Sequence, residues 1–554
     1  METFAKDRTE AEMLGIAKNV FDSSTAMKAK SRGASETIEL TRLSSTDELS
    51  VYGASGYGFV IISHDDSFKA VLGYSDTDYD ENNMPCGFRW WIGAMDKSLS
   101  AMKTCGKTSS SLSASPSSST GTYLMTTTWS QESPYYNQCP TIGLTRASTG
   151  CIATAMAQIM NYYEYPESGI GYGEYSVTNT AGTTTSYTDQ AINGTYDWDN
   201  MLDSYTMGWT SEQASAVSTL MFDAGKASKM QYASDASGAY DYDAATGFCL
   251  NFQYDSLALG YYYRNLYSDD EWMEMVNTAL SDNQPILYCG SDSEYGGHAF
   301  VLDGIDSDGL VHVNWGWAGY YNGWYSIDDL NPYSDVNFTE YQSMVTGYKT
   351  QSTPDEDEEN TSIWGTTEGY SFSVSRNSLT ASLTDLYNFC FRVFKGTLAI
   401  ILEDVANNGT NNVEIIIHEE EDGIYTNWGF YGIGDVNLSQ YVRSLSAGTY
   451  RAYVASKSTD ESSYKCVRGV GGEIFYTVTV DSNGSISVVE GDTTSGISGV
   501  TTDKSSVSDG IVRVYDLSGK LISKSSSSSE LELPSESGVV IVKDGDSTKK
   551  VIIK

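Results

Sequence analysis

Ser148–Pro166 reads STGCIATAMAQIMNYYEYP, and the way this stretch folds decides what surrounds it. From Ile152 on, apolar side chains recur at 152, 155, 156, 159, 160 and 163. That spacing of three and four gives a helix one buried face, and Tyr165-Pro166 ends it. Cys151 therefore falls at or beside the helix N-terminus, directly after the small Thr149-Gly150 pair. The positive end of a helix lowers the pKa of a thiol, so the position suits a cysteine nucleophile. Taken alone, a cysteine at a helix start is more often an inert small apolar side chain, so the reading needs partners.

A nucleophilic cysteine needs a base, usually histidine, and donors for the oxyanion that forms on acyl transfer. The chain has four histidines, at 64, 298, 312 and 418. His298 stands in EYGGHAFVLDG, at the mouth of a strand after two glycines that let a substrate backbone come close. In HAFVLDGIDSDGLVHVNWGW two apolar runs flank the turn Asp306-Ser307-Asp308-Gly309, the pattern of a hairpin. On its second strand, Asn314 and Trp315 could orient the imidazole and shield that contact from water. His312 shares the parity of Asn314, but a strand-lining histidine is commonly structural. Upstream, Gln131 in TTTWSQESPYYNQCP could offer its amide to the oxyanion beside the Cys151 N–H. The order Gln, Cys, His, Asn is the papain-type arrangement reached by roles, although the local papain signature around the cysteine is absent.

Composition removes several alternatives. The 554 residues hold 33 Lys plus Arg against 73 Asp plus Glu, a net charge of −40, and no basic run that could track phosphates, so nucleic acid is not an expected partner. No run of about eighteen apolar residues exists, so no membrane span is expected. The eight cysteines carry no CxxC pairs, and neither HExxH nor a phosphate loop occurs, so no metal or other cofactor is expected. The start, METFAKDRTEAEMLGIAKNVF, is charged and amphipathic. Either the chain is intracellular or a leader has been removed from it; abundant Ser, Thr, Gly, Asn and Tyr and scarce Lys favour the second.

The length suggests about three or four domains. Three short β-like runs lie within 36–75, ETIELTRL, GYGFVIISHDD and FKAVLGYSD, and CGFRWWIGAMDKSLSAM reads as a helix. The Ser-rich segment from Gly106 to Thr122 reads as an exposed linker open to nicking. The block 123–349 holds a second helix at about 211–228, then paired strands. Within it, the Asp-rich stretch 235–243 could bind calcium through hard oxygen ligands, but its spacing matches no EF-hand loop, so it reads as a solvated acidic loop. Gln351 to Asn360 is an acidic hinge, 361–482 reads as a β-sandwich, 483–508 as a linker, and the tail as another compact β unit.

At this point TGCIATAMAQIMNYYEYP, GGHAFVLDGID and GLVHVNWGWAGYYNGWYSIDDLNP closely resemble the streptopain family of bacterial cysteine peptidases, over about 36–349. The resemblance implies Cys151 as nucleophile, His298 as general base, Gln131 as oxyanion donor, and Asn314 with Trp315 supporting the histidine. GFVIISHDDSFKAVLGYSD looks like the family's N-terminal propeptide, which packs on the peptidase domain and displaces the catalytic histidine until it is cut away. Family members usually favour an apolar substrate side chain near the scissile bond, and the acid in Ala233–Gly247 departs from the small residues usual there. The tail, VRVYDLSGKLISK and GVVIVKDGDSTKKVIIK, resembles a type IX secretion sorting domain, which implies export through that machinery to the outside or surface of a Gram-negative bacterium.

The fold expected is α+β: an α+β inhibitory propeptide and linker over 1–120, a papain-like two-lobe cysteine peptidase domain over 121–350, a β-sandwich over 351–485, and a linker with sorting domain over 486–554. The function expected is a secreted cysteine endopeptidase made as a self-inhibited zymogen, acting on protein or peptide substrates with its own propeptide as intramolecular inhibitor. Two other readings are a catalytically silent adhesin on a peptidase scaffold and a transglutaminase or amidase of the same mechanism.

Overall fold

A computed structural model of the chain describes residues 6–24, 27, 38–104, 121–292, 296–330, 341–350, 364–366, 369–407, 412–430 and 434–491, with the backbone of four strands between 512 and 553. Of the expected linkers, 106–120, the acidic run 351–360 and 492–508 lie outside the described residues, whereas Thr122 and Ile486–Glu490, which the sequence placed in linkers, are in strands that pair with the neighbouring sheets.

The N-terminal unit begins with helix α1 (Glu10–Ser23), started by a capping box in which Thr9 and Glu12 satisfy each other's backbone N–H groups. Four antiparallel strands follow: β1 (Thr41–Ser45), β2 (Leu49–Ala54), β3 (Gly58–Ser63) and β4 (Val71–Ser75). Helix α2 (Cys86–Thr104) then presents Phe88, Trp90, Trp91, Met95 and Leu99 inward. The sequence pattern missed β2, whose LSVYGA contains no clean alternation because both of its faces are covered.

The central unit contains helices α3 (Cys151–Tyr163), α4 (Ser211–Ala227) and α5 (Asp241–Leu250), strand β5 (Gly260–Tyr263) and helix α6 (Asp269–Ser281). Strands β6 (Ile286–Asp292), β7 (Gly296–Ile305), β8 (Val311–Asn314), β9 (Gly323–Tyr325) and β10 (Tyr341–Thr346) complete it. Helix α5 begins inside the stretch 235–243 that was expected to be a solvated acidic loop, taking its last three residues; Asp241 and Asp243 supply the acid of its first turn, where the helix dipole favours it.

The two units share one eleven-stranded sheet among the described residues, in the order β1-β2-β3-β4-β9-β8-β7-β6-β10-β5, with Thr122–Tyr123 added to β7. The joint is β4 against β9, where Tyr74 faces Trp324 and Gly73 faces Tyr325. The sheet separates two cores. On one face α3, α4 and α5 bury Met156, Val217, Phe248, Leu287 and Val301. On the other, α2 and α6 bury Trp90, Trp91, Trp272, Tyr288 and Phe300. Each fully buried tryptophan removes roughly 150–250 Å² from water, so α2 is held chiefly by Trp90 and Trp91. Lys69 of the N-terminal unit also reaches Asp328 across the seam at 3.1 Å, largely buried.

Beyond 364 the regular elements among the described residues are nearly all strands, and the molecule as a whole is mixed α+β. One sheet runs Val413–Ile424, Phe394–Asp404, Gly448–Ser458, Tyr476–Val480, Ile486–Glu490, facing a core of Leu398, Ile400, Val454 and Val478. This unit is docked on the central one: Cys390 and Phe391 enter the α3 core and Phe389 the opposite one. Arg468 donates to the Leu266 carbonyl at 2.6 Å and to Glu271 at 2.7 Å. The four strands of the tail form an antiparallel sheet in the order Leu521–Ser525, Val512–Asp516, Gly538–Asp544, Ser547–Ile553. No helix among the described residues is long and apolar enough to cross a membrane.

Candidate active site

Gly150 makes the turn that exposes Cys151. Its φ is 85°, and a Cβ there would lie 2.6 Å from the Met230 sulfur, so only glycine fits. The Thr154 hydroxyl ties the turn down, donating to the Gly150 carbonyl at 3.0 Å and meeting the Thr149 hydroxyl at 2.8 Å. Cys151 is then the first residue of α3. The single buried face read from the sequence proves too narrow: every residue from Ile152 to Met160 is buried. Ala153, Ala155 and Ala157 let neighbours approach from all sides, which fixes the cysteine rigidly. Burial pushes the Cys151 thiol up from its ordinary value, and the backbone N–H groups of Ala299, Ile152 and Cys151 itself pull in the opposite direction.

Ala299 belongs to β7, so the strand carrying His298 touches the cysteine. Alternation along β7 sends Ala299 and Val301 to the α3 face and Phe300 and Leu302 to the α2 face. His298 has the parity of Phe300. Its cross-strand partner is Gly290, and a Cβ on Gly290 would strike the Trp90 ring at 2.3 Å. Strand register thus directs the His298 Cβ toward the face on which Trp90 lies, away from that of Cys151. Both residues still border one cleft of about 900 Å³, whose wall also includes Cys289, Tyr240, Asp241 and, from the docked β-unit, Asn427. No described residue of the N-terminal unit lines this cleft.

The remaining predicted site residues are placed as follows. The Gln131 carbonyl accepts the Thr149 N–H at 3.2 Å, which sets Gln131 beside the loop leading into Cys151. Asn314 donates to the Thr127 carbonyl at 2.7 Å and the Gln158 amide oxygen at 3.0 Å, and accepts from the Gly316 N–H at 3.1 Å. The expected orienting bond from Asn314 to His298 is therefore not made in this arrangement; the amide is committed to the α3 side. The Trp315 indole donates to the Tyr321 carbonyl at 3.0 Å and packs 4.7 Å from Phe300, within the α2 core. His312 is fixed by Asp303 at 2.6 Å and stacked on Tyr123, a structural histidine.

Three residues that sequence reasoning did not single out stand near the site. Trp90 covers Gly290, as above. Cys86, the first residue of α2, has its thiol pushed up to about 11, by burial first and the proximity of Cys151 second. Asp241 lies buried at the cleft wall, held by the Ser343 hydroxyl, by Tyr341 at 3.2 Å and by the Tyr242 N–H at 3.0 Å. Burial raises its carboxyl above the ordinary range. The only sequence signal for Asp241 was its departure from small residues. Cys139 is buried, its thiol pushed up to about 12, and belongs to the core. Among the described residues no cluster of metal-ligating side chains occurs.

Residues 129–325 match the Peptidase C10 family, and residues 5–99 match the Spi protease inhibitor family. The chain is 31% identical over 383 residues to streptopain of Streptococcus pyogenes, spanning 63% of this chain and 93% of streptopain. It is 32% identical over 318 residues to the thiol protease/hemagglutinin PrtT of Porphyromonas gingivalis, spanning 53% of this chain but 36% of that protein. A prointerpain A fragment from Prevotella intermedia superposes with a TM-score of 0.50 at 38% identity, covering 57% of this chain and 99% of the fragment.

Proposed function

The chain belongs to the Peptidase C10 family and is a cysteine endopeptidase carrying an inhibitor propeptide, and from that premise we propose that Cys151 and His298 form its catalytic dyad, latent here because the propeptide holds His298 on the wrong face of β7. The observation that carries this reading is the opposed facing of neighbouring residues: Ala299 hands its N–H to the cysteine, while Trp90 lies on the strand pair Gly290–His298. Removing α2 takes away that ring and frees the imidazole to swing into the cleft both residues already border.

The chemistry then follows from roles. The Cys151 thiolate attacks the peptide carbonyl carbon, and the Cys151 N–H and the Gln131 amide hold the oxyanion. His298 protonates the leaving amine, and water hydrolyses the thioester with His298 as base. Asn314 and Trp315 support the imidazole once it has moved; in the latent arrangement they brace α3 and α2 instead. The propeptide covers residues up to about 120, the peptidase domain 121–350, and the β-sandwich 351–485, with the tail beyond 486 serving type IX export to the outside or surface of a Gram-negative cell. The support for export is the tail's resemblance in sequence and its separate four-stranded sheet.

The test incubates full-length protein and Cys151→Ala under reducing conditions, following intact mass and casein cleavage. The wild type trims itself between about 105 and 125, in the Ser-rich segment, and then cuts casein. The variant does neither. If both stay intact and inactive after a trace of outside protease removes the propeptide, the catalytically silent reading replaces this one.

A further inference from the structure

The cleft beside Cys151 differs from what the resemblance led us to expect. An apolar substrate side chain calls for an apolar pocket, yet Asp241, itself 5% exposed, stands in the wall of this cleft together with Cys151 and Cys289. Its partners, the hydroxyls of Ser343 and Tyr341 and the Tyr242 N–H, are all neutral. The nearby cation, Lys229, is taken by Asp243 at 3.0 Å and by Glu174 at 3.7 Å. A carboxyl placed in a water-poor wall without a counter-charge costs free energy that an entering cation recovers.

The rest of the wall suits a long basic side chain. Tyr240 and Tyr242 stack with centroids 5.2 Å apart on the same border, giving an aromatic surface along which the methylene stem of Lys or Arg can lie. Asp235 stands exposed in the loop that leads to the cleft from Gln231, adding to a negative approach. A volume of about 900 Å³ leaves room for arginine as well as the substrate backbone.

We propose that Asp241 makes this cleft select a substrate with a lysine or arginine side chain in the pocket beside the scissile bond, so that Asp241 is a specificity-determining residue of the peptidase. This rests on Cys151 being the nucleophile of that cleft. Asp241 acts by pairing with the substrate cation, directly or across its hydroxyl partners, and takes no part in bond breaking.

The experiment profiles the self-processed enzyme, and Asp241→Asn, against a library of fluorogenic peptides in which each position on the acyl side of the cleaved bond is varied in turn. At one position the wild type gives at least about tenfold higher kcat/KM for Arg or Lys than for Leu, and Asp241→Asn loses that ratio. Preference for Leu in the wild type overturns the proposal by itself, without need of the variant. So does a basic preference that Asp241→Asn leaves unchanged. Failure of the processed wild type to cut any peptide, or casein, overturns the nucleophile reading and the subsite with it.

Discussion

The two faces of strand β7 do opposite things with adjacent residues. On the α3 face Ala299 and Val301 lie under the cysteine helix, and the Ala299 N–H is one of the groups acting on the Cys151 thiol. On the α2 face Phe300 packs against Trp315 and against Trp90, which lies about 210 residues earlier in the chain, and His298 shares that parity. Under the proposed dyad, a single strand thus carries both the support of the nucleophile and the hold on its base. On the proposed mechanism latency is built without filling the cleft: the propeptide would work from behind the sheet, by deciding which face a strand residue uses.

The strongest way to break that comparison is at the cysteine face. Cys151→Ala removes a single sulfur atom and is expected to abolish self-trimming and casein cleavage while thermal unfolding stays close to wild type. Residual cleavage would move the chemistry elsewhere. At the other face, Trp90→Ala empties the site over Gly290, and a Trp→Ala change in a core costs about 3–5 kcal/mol. The Trp90 indole N–H is buried without a partner among the described residues, so little hydrogen bonding offsets that loss. The precursor should melt lower and process itself faster; unchanged processing kinetics would remove this face from the latch.

Two smaller effects sharpen the contrast. Gln131→Ala should lower kcat of the processed enzyme by roughly a hundredfold with little change in KM, the usual effect of losing one oxyanion donor, and an unchanged rate removes Gln131 from the mechanism. Alkylation of Cys151 offers the finest probe. With its thiol raised by burial, the precursor holds less thiolate at neutral pH than a free cysteine, so iodoacetamide labelling should be slow and climb about tenfold per pH unit toward alkaline pH. After processing, with the imidazole beside the thiol, labelling near neutral pH should be faster and flatter. Identical profiles before and after would mean that the base never leaves its first face.

Much of the candidate site was legible because its signals are local. A helix starting at Cys151, a hairpin around Asp306–Gly309 and α2 in CGFRWWIGAMDKSLSAM all follow from spacing and turn chemistry within twenty residues. Helix α5 was not legible, since DYDAATGFCL carries too little apolar periodicity and starts on acid that serves equally well in a loop. Asn314 was placed on the correct strand, but its partners Thr127 and Gln158 are 187 and 156 residues away in the chain.

By itself the sequence determined several elements: that a helix opens at or beside Cys151 after a small Thr-Gly pair, that 86–102 and about 211–228 are helical, that His298 stands at the mouth of a strand, and the family to which the chain belongs. Only the tertiary structure decided what each face of those elements meets. Alternation in a strand assigns neighbours to opposite faces but is silent on what covers either one. That depends on pairings such as β4 with β9, some 250 residues apart, which lay the propeptide's tryptophans behind the sheet and leave Asp241 at the wall of the cleft in front of it.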